Sequence, residues 1–177
     1  HKYFKDINGY YSLEFASVPY KLLNIFALTK CVLFIGQHSG TYNLPGSRGI
    51  PVLLCDSFPY RIGTFNSSDV ILFKHFREKA TGKKLSLVEV MMHHLDLAYG
   101  YNFARKGIEV EHNSPEEIFE AVKETLARIQ GKLHLTEEDK MLVEKFLNLF
   151  PKEMLIAHEK NRTSLHMLHQ FKKELLK

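Results

Sequence analysis

A chain of 177 residues with 45% hydrophobic and 25% charged side chains is long enough to bury a core and too apolar for a disordered tail. Its net charge of +4 and pI near 8.9 fall short of the clustered basic surface of a dedicated nucleic-acid binder; they suit an anionic small ligand or an anionic membrane surface. No apolar run approaches the ~20 residues of a membrane span, and no charged-then-apolar signal segment opens the chain.

The stretch from Lys2 to Phe15 is aromatic and irregular, with a turn at Asn8-Gly9, and reads as an edge strand or an arm joining a preceding domain. A helix is predicted from about Pro19 to Lys30, capped by Ser17, with Leu22, Leu23, Ile25 and Phe26 facing a core. It leads into Cys31 to Ile35, which has no polar position and is predicted as a strand buried on both faces of a parallel sheet. Gly36 ends that strand. The loop Gln37 to Thr41 follows, where Gly40 permits close backbone approach and the Ser39 and Thr41 hydroxyls sit at the start of a short helix. That is an anion site in outline, although the same residues could simply cap a helix. After Pro45 to Gly49, a second apolar strand is predicted over Ile50 to Cys55, with Pro51 tolerated near its beginning. Both cysteines, Cys31 and Cys55, thus fall in predicted strands and read as free buried thiols of a reducing compartment.

Ser57 to Thr64 carries Pro and Gly and reads as a loop at the C-terminal edge of the second strand, the edge that faces the ligand crevice in an open α/β sheet. A third strand is predicted over Val70 to Phe73, followed at once by Lys74, with Arg77 to Lys84 as a polar loop. Ser86 and Glu89 form a capping box for a helix through Val88, Met91, Met92 and Leu95 that ends near Tyr99 to Tyr101. Ile108 to Glu111 alternates like a half-exposed strand. Ser114, Pro115 and Glu117 begin a helix with Ile118, Phe119, Val122, Leu126 and Ile129 on one stripe and Gly131 at its end. Thr136 to Asp139 opens another (Leu142, Val143, Phe146, Leu149), Pro151 breaks it, and a last helix spans about Ser164 to Leu176. The class is therefore α/β, a Rossmann-like parallel sheet flanked by helices, in a single domain. Residues from about 1 to 131 form the α/β core, and 132 to 177 are additional C-terminal helices.

The segment FIGQHSGTYNLPGSRGIPVLLCD, then SSDVILFK, KKLSLVEV and GIEVEHNSPEEIFEAVKETLARI, resembles in content and order the C-terminal domain of bacterial polysaccharide-biosynthesis glycosyltransferases of the GT-B fold, and more loosely heptosyltransferases. The resemblance covers roughly residues 20 to 130. Gly36, Ser39, Gly40, Gly49, Pro51 and Val52 take the places of the motif that marks the donor side of the interdomain cleft, and Asp69 to Lys74, Leu85 to Val90 and Asn113 to Ile118 match later elements. Where many relatives carry an acidic residue before the Ser-Gly pair, this chain has His38.

The resemblance implies half of a GT-B fold and an N-terminal domain outside these residues that normally holds the acceptor and usually the catalytic base; donor binding is what it implies for the isolated chain. It also implies a nucleotide-sugar donor, a glycan or lipid-linked acceptor, and no metal or other cofactor. Gly36, Gln37, His38, Ser39, Gly40, Thr41 and Lys74 become the candidate phosphate and donor contacts, Arg48, Asp56, Tyr60 and Arg61 candidate nucleotide or sugar contacts, and His38 a candidate catalytic group. A sugar-nucleotide epimerase of the same fold and a non-catalytic binding or interaction domain remain as alternatives. The His93-His94 pair and the His166 and His169 pair lack the spacing and third ligand of a metal site. Arg162, Lys172, Lys173 and Lys177 read as a solvated basic face, with peripheral membrane contact the alternative suggested by lipid-linked acceptors. The expected location is cytoplasmic.

Overall fold

The computed structural model describes residues 8–12, 18–60, 63–93, 95, 100–150 and 162–177. Arg61, Ser17, Pro151 and, of the Lys2 to Phe15 stretch, residues 2–7 and 13–15 lie outside them. Three parallel strands, β1 (Phe34–Gly36), β2 (Val52–Ser57) and β3 (Val70–Phe73), form a sheet in the order β1-β2-β3. Before β1 stands α1 (Tyr20–Lys30); between β1 and β2 a 3-10 turn, Gly40–Tyr42, runs directly into α2 (Asn43–Ser47). β2 and β3 are the centre of the core, and all of β3 is inaccessible to solvent, as a hydrophobic strand covered on both faces should be.

Only Lys74 separates β3 from β4 (His75–Glu78), which pairs antiparallel with β5 (Ile108–Glu111) in a second, two-stranded sheet; α3 (Leu87–Met92) and α4 (Gly100–Arg105) lie between them. The polar composition of HFRE hides β4 from a pattern reading that has Arg77 onward as loop. The antiparallel return of β5 has a further consequence. It carries the chain after Glu111 back to the C-terminal end of β3.

α5 (Pro115–Ile129) packs on β2 and β3, α6 (Glu137–Leu147) follows, and α7 (Leu165–Gln170) and α8 (Lys172–Leu175) take the place of one predicted terminal helix. The predicted capping box of Ser86 with Glu89 is formed, and at two other predicted helix starts Ser114 with Glu117 and Thr136 with Asp139 form boxes as well. The C-terminal helices are tied to the core rather than appended to it. Glu174 on α8 accepts from the Leu87 and Val88 N–H groups at 3.0 and 2.6 Å, closing the start of α3.

The helix from Ser86 ends at Met92 rather than near Tyr99, and three further expectations differ from the structure. The run Cys31 to Ile35 is not a central strand: β1 begins at Phe34 at the edge of the sheet, Val32 is 81% exposed, and the Cys31 N–H closes the end of α1 on Ala27. α1 buries no residue, and Leu22, Ile25 and Phe26 are exposed; among the described residues the helix lies beside an edge strand and packs chiefly on α2. On α5 the buried face is Glu117, Ala121, Glu124 and Thr125, while Phe119, Leu126 and Ile129 of the predicted stripe are exposed. Small Ala121 allows close approach to the sheet, and the polar residues beside it are buried because each has a partner.

Both cysteines are free, Cys55 buried in β2 and Cys31 half-buried. Burial, and secondly the charge of Asp56, push the Cys55 thiol up to about 11, so it is protonated at neutral pH. A thiol-disulfide reagent should therefore titrate one thiol per native chain, Cys31, and two in denaturant. Fast reaction of both in the native state would contradict the burial of β2.

Candidate functional site

Open α/β sheets bind ligands beyond the carboxyl ends of their strands, and here that edge gathers Gly36, Gln37 and His38 from β1, Asp56 from β2, Lys74 after β3, and His112 and Asn113 after β5. The last two were not singled out by sequence. Their signal, a polar His-Asn pair between a strand end and a helix cap, becomes meaningful only once β5 is seen to run back toward β3.

Asp56 is the pivot. Between Leu54–Ile71 and Ser57–Phe73 the register of β2 against β3 slips, so that Cys55 and Asp56 oppose the single residue Leu72. Asp56 sits in this bulge at φ +49°, the one non-glycine residue with positive φ among those described. A bulge re-aims a side chain, and this one delivers the carboxylate to the β5–α5 loop. Asp56 Oδ1 accepts from the Asn113 N–H at 2.7 Å, and Oδ2 accepts from His112 Nδ1 at 2.9 Å and from the Gln37 amide at 3.5 Å. Asn113 completes the joint: its Oδ1 accepts from the Asp56 N–H at 2.6 Å and its amide donates to Phe73 O at 2.8 Å. Buried Asn113 thus fastens together the C-terminal ends of β2 and β3 and the start of α5.

The loop after β1 is held by His38, whose Nδ1 donates to Phe58 O at 2.9 Å and whose ring lies 5.3 Å from that of Tyr42. Because a carbonyl can only accept, His38 Nδ1 carries the proton and Nε2 of the neutral ring offers a lone pair. Ser39 makes no side-chain cap to the 3-10 turn that follows it, which removes the helix-cap explanation for its hydroxyl. Gly40 is outside the left-handed region, and a Cβ built there meets nothing within 4 Å. Neither backbone strain nor packing demands glycine at that position. Gly36 is different: a Cβ there would come within 2.7 Å of the Phe34 ring.

Lys74 is half-buried at this edge, its N–H bound to Ser57 O. The remaining candidates are placed elsewhere. Tyr60 is 1% exposed, its hydroxyl donates to Lys74 O at 2.6 Å, and its ring stacks on Phe73, so it supports the edge from inside and offers no face to a ligand. Arg48 follows α2 and precedes β2, at the opposite, N-terminal edge of the sheet. Arg61 lies outside the described residues. Beneath the site His75 donates from Nε2 to Glu117 Oε1 at 2.7 Å in the buried layer. Burial pushes the Glu117 carboxyl up, yet the Ser114 N–H and His75 outweigh it and hold the group below the usual carboxylate range.

Among the described residues no three His, Cys, Asp or Glu side chains gather as a metal site, and no helix is long and apolar enough to cross a membrane. Cavities of about 170 and 470 Å³ lie away from this edge, one lined by Val143, Phe146 and Leu168, the other by Leu85 and Ile108. The site is a shelf at this edge, with His38 and His112 exposed. Comparison with protein-family models, curated proteins and solved structures finds no match to this chain.

Proposed function

We propose that the chain is the nucleotide-sugar-binding half of a GT-B-type glycosyltransferase that transfers sugar to a surface-polysaccharide or other glycan acceptor. The observation that carries this reading is the loop Gly36 to Thr41 at the C-terminal edge of a parallel sheet, whose Ser39 and Gly40 have no role in the fold that would require them. The diphosphate of the donor lies along that loop, where backbone N–H groups, the Ser39 and Thr41 hydroxyls and the Lys74 ammonium neutralise charge as it develops on the leaving group. Asp56, held at the shelf by Asn113, is placed for a sugar or ribose hydroxyl. A shelf of this kind suits one wall of a cleft whose other wall is an acceptor domain outside these residues. The enzyme works in the cytoplasm, with a lipid-linked acceptor bringing it to the membrane surface.

Thermal unfolding in the presence of UDP, GDP, CDP and their sugar conjugates tests this reading. A ligand at ~100 times its Kd stabilises by about 2.7 kcal/mol, which for a chain of this size raises Tm by roughly 5–10 °C. The Ser39→Ala, Gly40→Val double variant should unfold within about 1 kcal/mol of the parent, since it loses no cap and meets no clash, yet lose the shift. An unchanged shift in that variant refutes the site, and no shift with any nucleotide refutes the donor-binding function.

A further inference from the structure

We infer that His112, oriented by Asp56, is the proton acceptor of this site, taking the proton of the hydroxyl or water that attacks the anomeric carbon of the bound nucleotide-sugar. The inference rests on the donor-binding reading above. An ionised carboxylate only accepts hydrogen bonds, so the 2.9 Å contact of Asp56 Oδ2 fixes the proton of a neutral His112 on Nδ1 and leaves the Nε2 lone pair free. Exposure separates the roles of the two groups, since the Asp56 side chain is 12% exposed and the His112 ring 72%. A base held by a half-buried third group and open at its reactive atom is the arrangement that proton transfer needs.

The loop is also fastened by the three hydrogen bonds of Asn113 to Asp56 and Phe73, so His112 is one of several ties at this joint and the one with an exposed ring. Among the described residues no hydrogen bond or ion pair engages its Nε2. From the β1 loop come neutral Gln37, on the same carboxylate oxygen, and His38, which is engaged with Phe58 O; Glu111 beside it is held by Arg77 at 2.6 Å, and Lys74 stands at the end of β3.

With water as acceptor the step balances without a further reagent. The water oxygen bonds to the anomeric carbon, and the bond from that carbon to the phosphate oxygen breaks with its electron pair leaving on the nucleoside diphosphate. The water proton passes to His112 Nε2 and then to solvent. A glycan hydroxyl in place of water gives transfer by the same path.

The test uses the full chain with the sugar conjugate of the nucleotide that raises Tm, measuring nucleoside diphosphate release across pH. His112→Gln should bind the donor as the parent does and lower kcat 100-fold or more. It should also abolish the fall in rate at acid pH that protonation of the imidazole causes in the parent. Bound donor with kcat in the variant within about twofold of the parent overturns the inference and leaves the glycosyltransferase reading standing, as does a parent that binds donor and releases no diphosphate. No binding of any conjugate overturns the reading, and the inference with it.

Discussion

Glu124→Ala lowers the stability of the chain by about 3–5 kcal/mol, the cost of removing one partner from a buried ion pair. Glu124 lies on the sheet-facing side of α5 and serves two structures at once. Its Oε1 accepts from Arg128 Nε and Nη2 at 3.1 and 2.8 Å, one turn along the helix, and its Oε2 accepts from the Leu165 N–H at 2.8 Å and the Ser164 hydroxyl at 3.1 Å. α7 has no side-chain cap of its own, so this carboxylate satisfies its first N–H from another element. Truncation strands a guanidinium that is 15% exposed and uncaps α7 in the same step. Glu124→Gln keeps an acceptor for Leu165 and should cost less than half as much. Urea unfolding of the two variants measures both numbers, and a loss below about 1 kcal/mol for the alanine variant would mean that α7 is not anchored through this contact.

How much of this was legible in the sequence follows from how each residue is recognised. β3 was legible to the residue because its four consecutive apolar side chains are bounded by Asp69 and Lys74. The Ser86–Glu89 capping box was legible, and the helix starts at Ser114 and Thr136 with it, because a cap is a local hydrogen-bond pattern that needs only Ser or Thr and an acid three residues on. The buried face of α5 was not. Glu117 and Glu124 are charged, and their burial depends on partners such as His75, Arg128 and Ser164, from 4 to 42 residues away. The edge position of β1 was hidden for the opposite reason, since an apolar run records hydrophobicity and not the number of neighbouring strands.

The candidate site divides along the same line. The loop from Gly36 to Thr41 was legible, because Gly, Ser and Thr between a strand and a helical turn are a local pattern. Asp56 was named only for its place at a strand end, and neither its bulge nor its left-handed backbone has a sequence signature, since aspartate adopts both rarely. His112 and Asn113 were invisible as site residues. They reach Asp56 across 56 and 57 positions, and they do so because β4, a strand of polar composition, turns β5 back toward the parallel sheet.

Asp69→Ala should be as costly as Glu124→Ala, about 3–5 kcal/mol, for a reason that bears on the resemblance to glycosyltransferases. Asp69 begins the segment that matches one of the family's later elements, and Lys74 ends it. β3 runs between them, so the two residues stand at opposite edges of the sheet. Asp69 is 1% exposed and accepts three backbone N–H groups at 2.8 Å, from Val52 at Oδ1 and from Phe65 and Asn66 at Oδ2. It joins the entry of β2 to the loop that leads into β3, far from the donor shelf. Alanine leaves three N–H groups without acceptors, each worth about 1–3 kcal/mol when buried. Asp69→Asn keeps acceptors on one side only and should fall between parent and alanine. Donor affinity of the folded fraction, read from the Tm shift, should be unchanged in both, whereas Lys74→Ala should weaken it without loss of stability. If Asp69→Asn instead abolished the shift while the chain stayed folded, the aspartate would belong to the ligand site, and the division of this strand into a structural end and a binding end would be wrong.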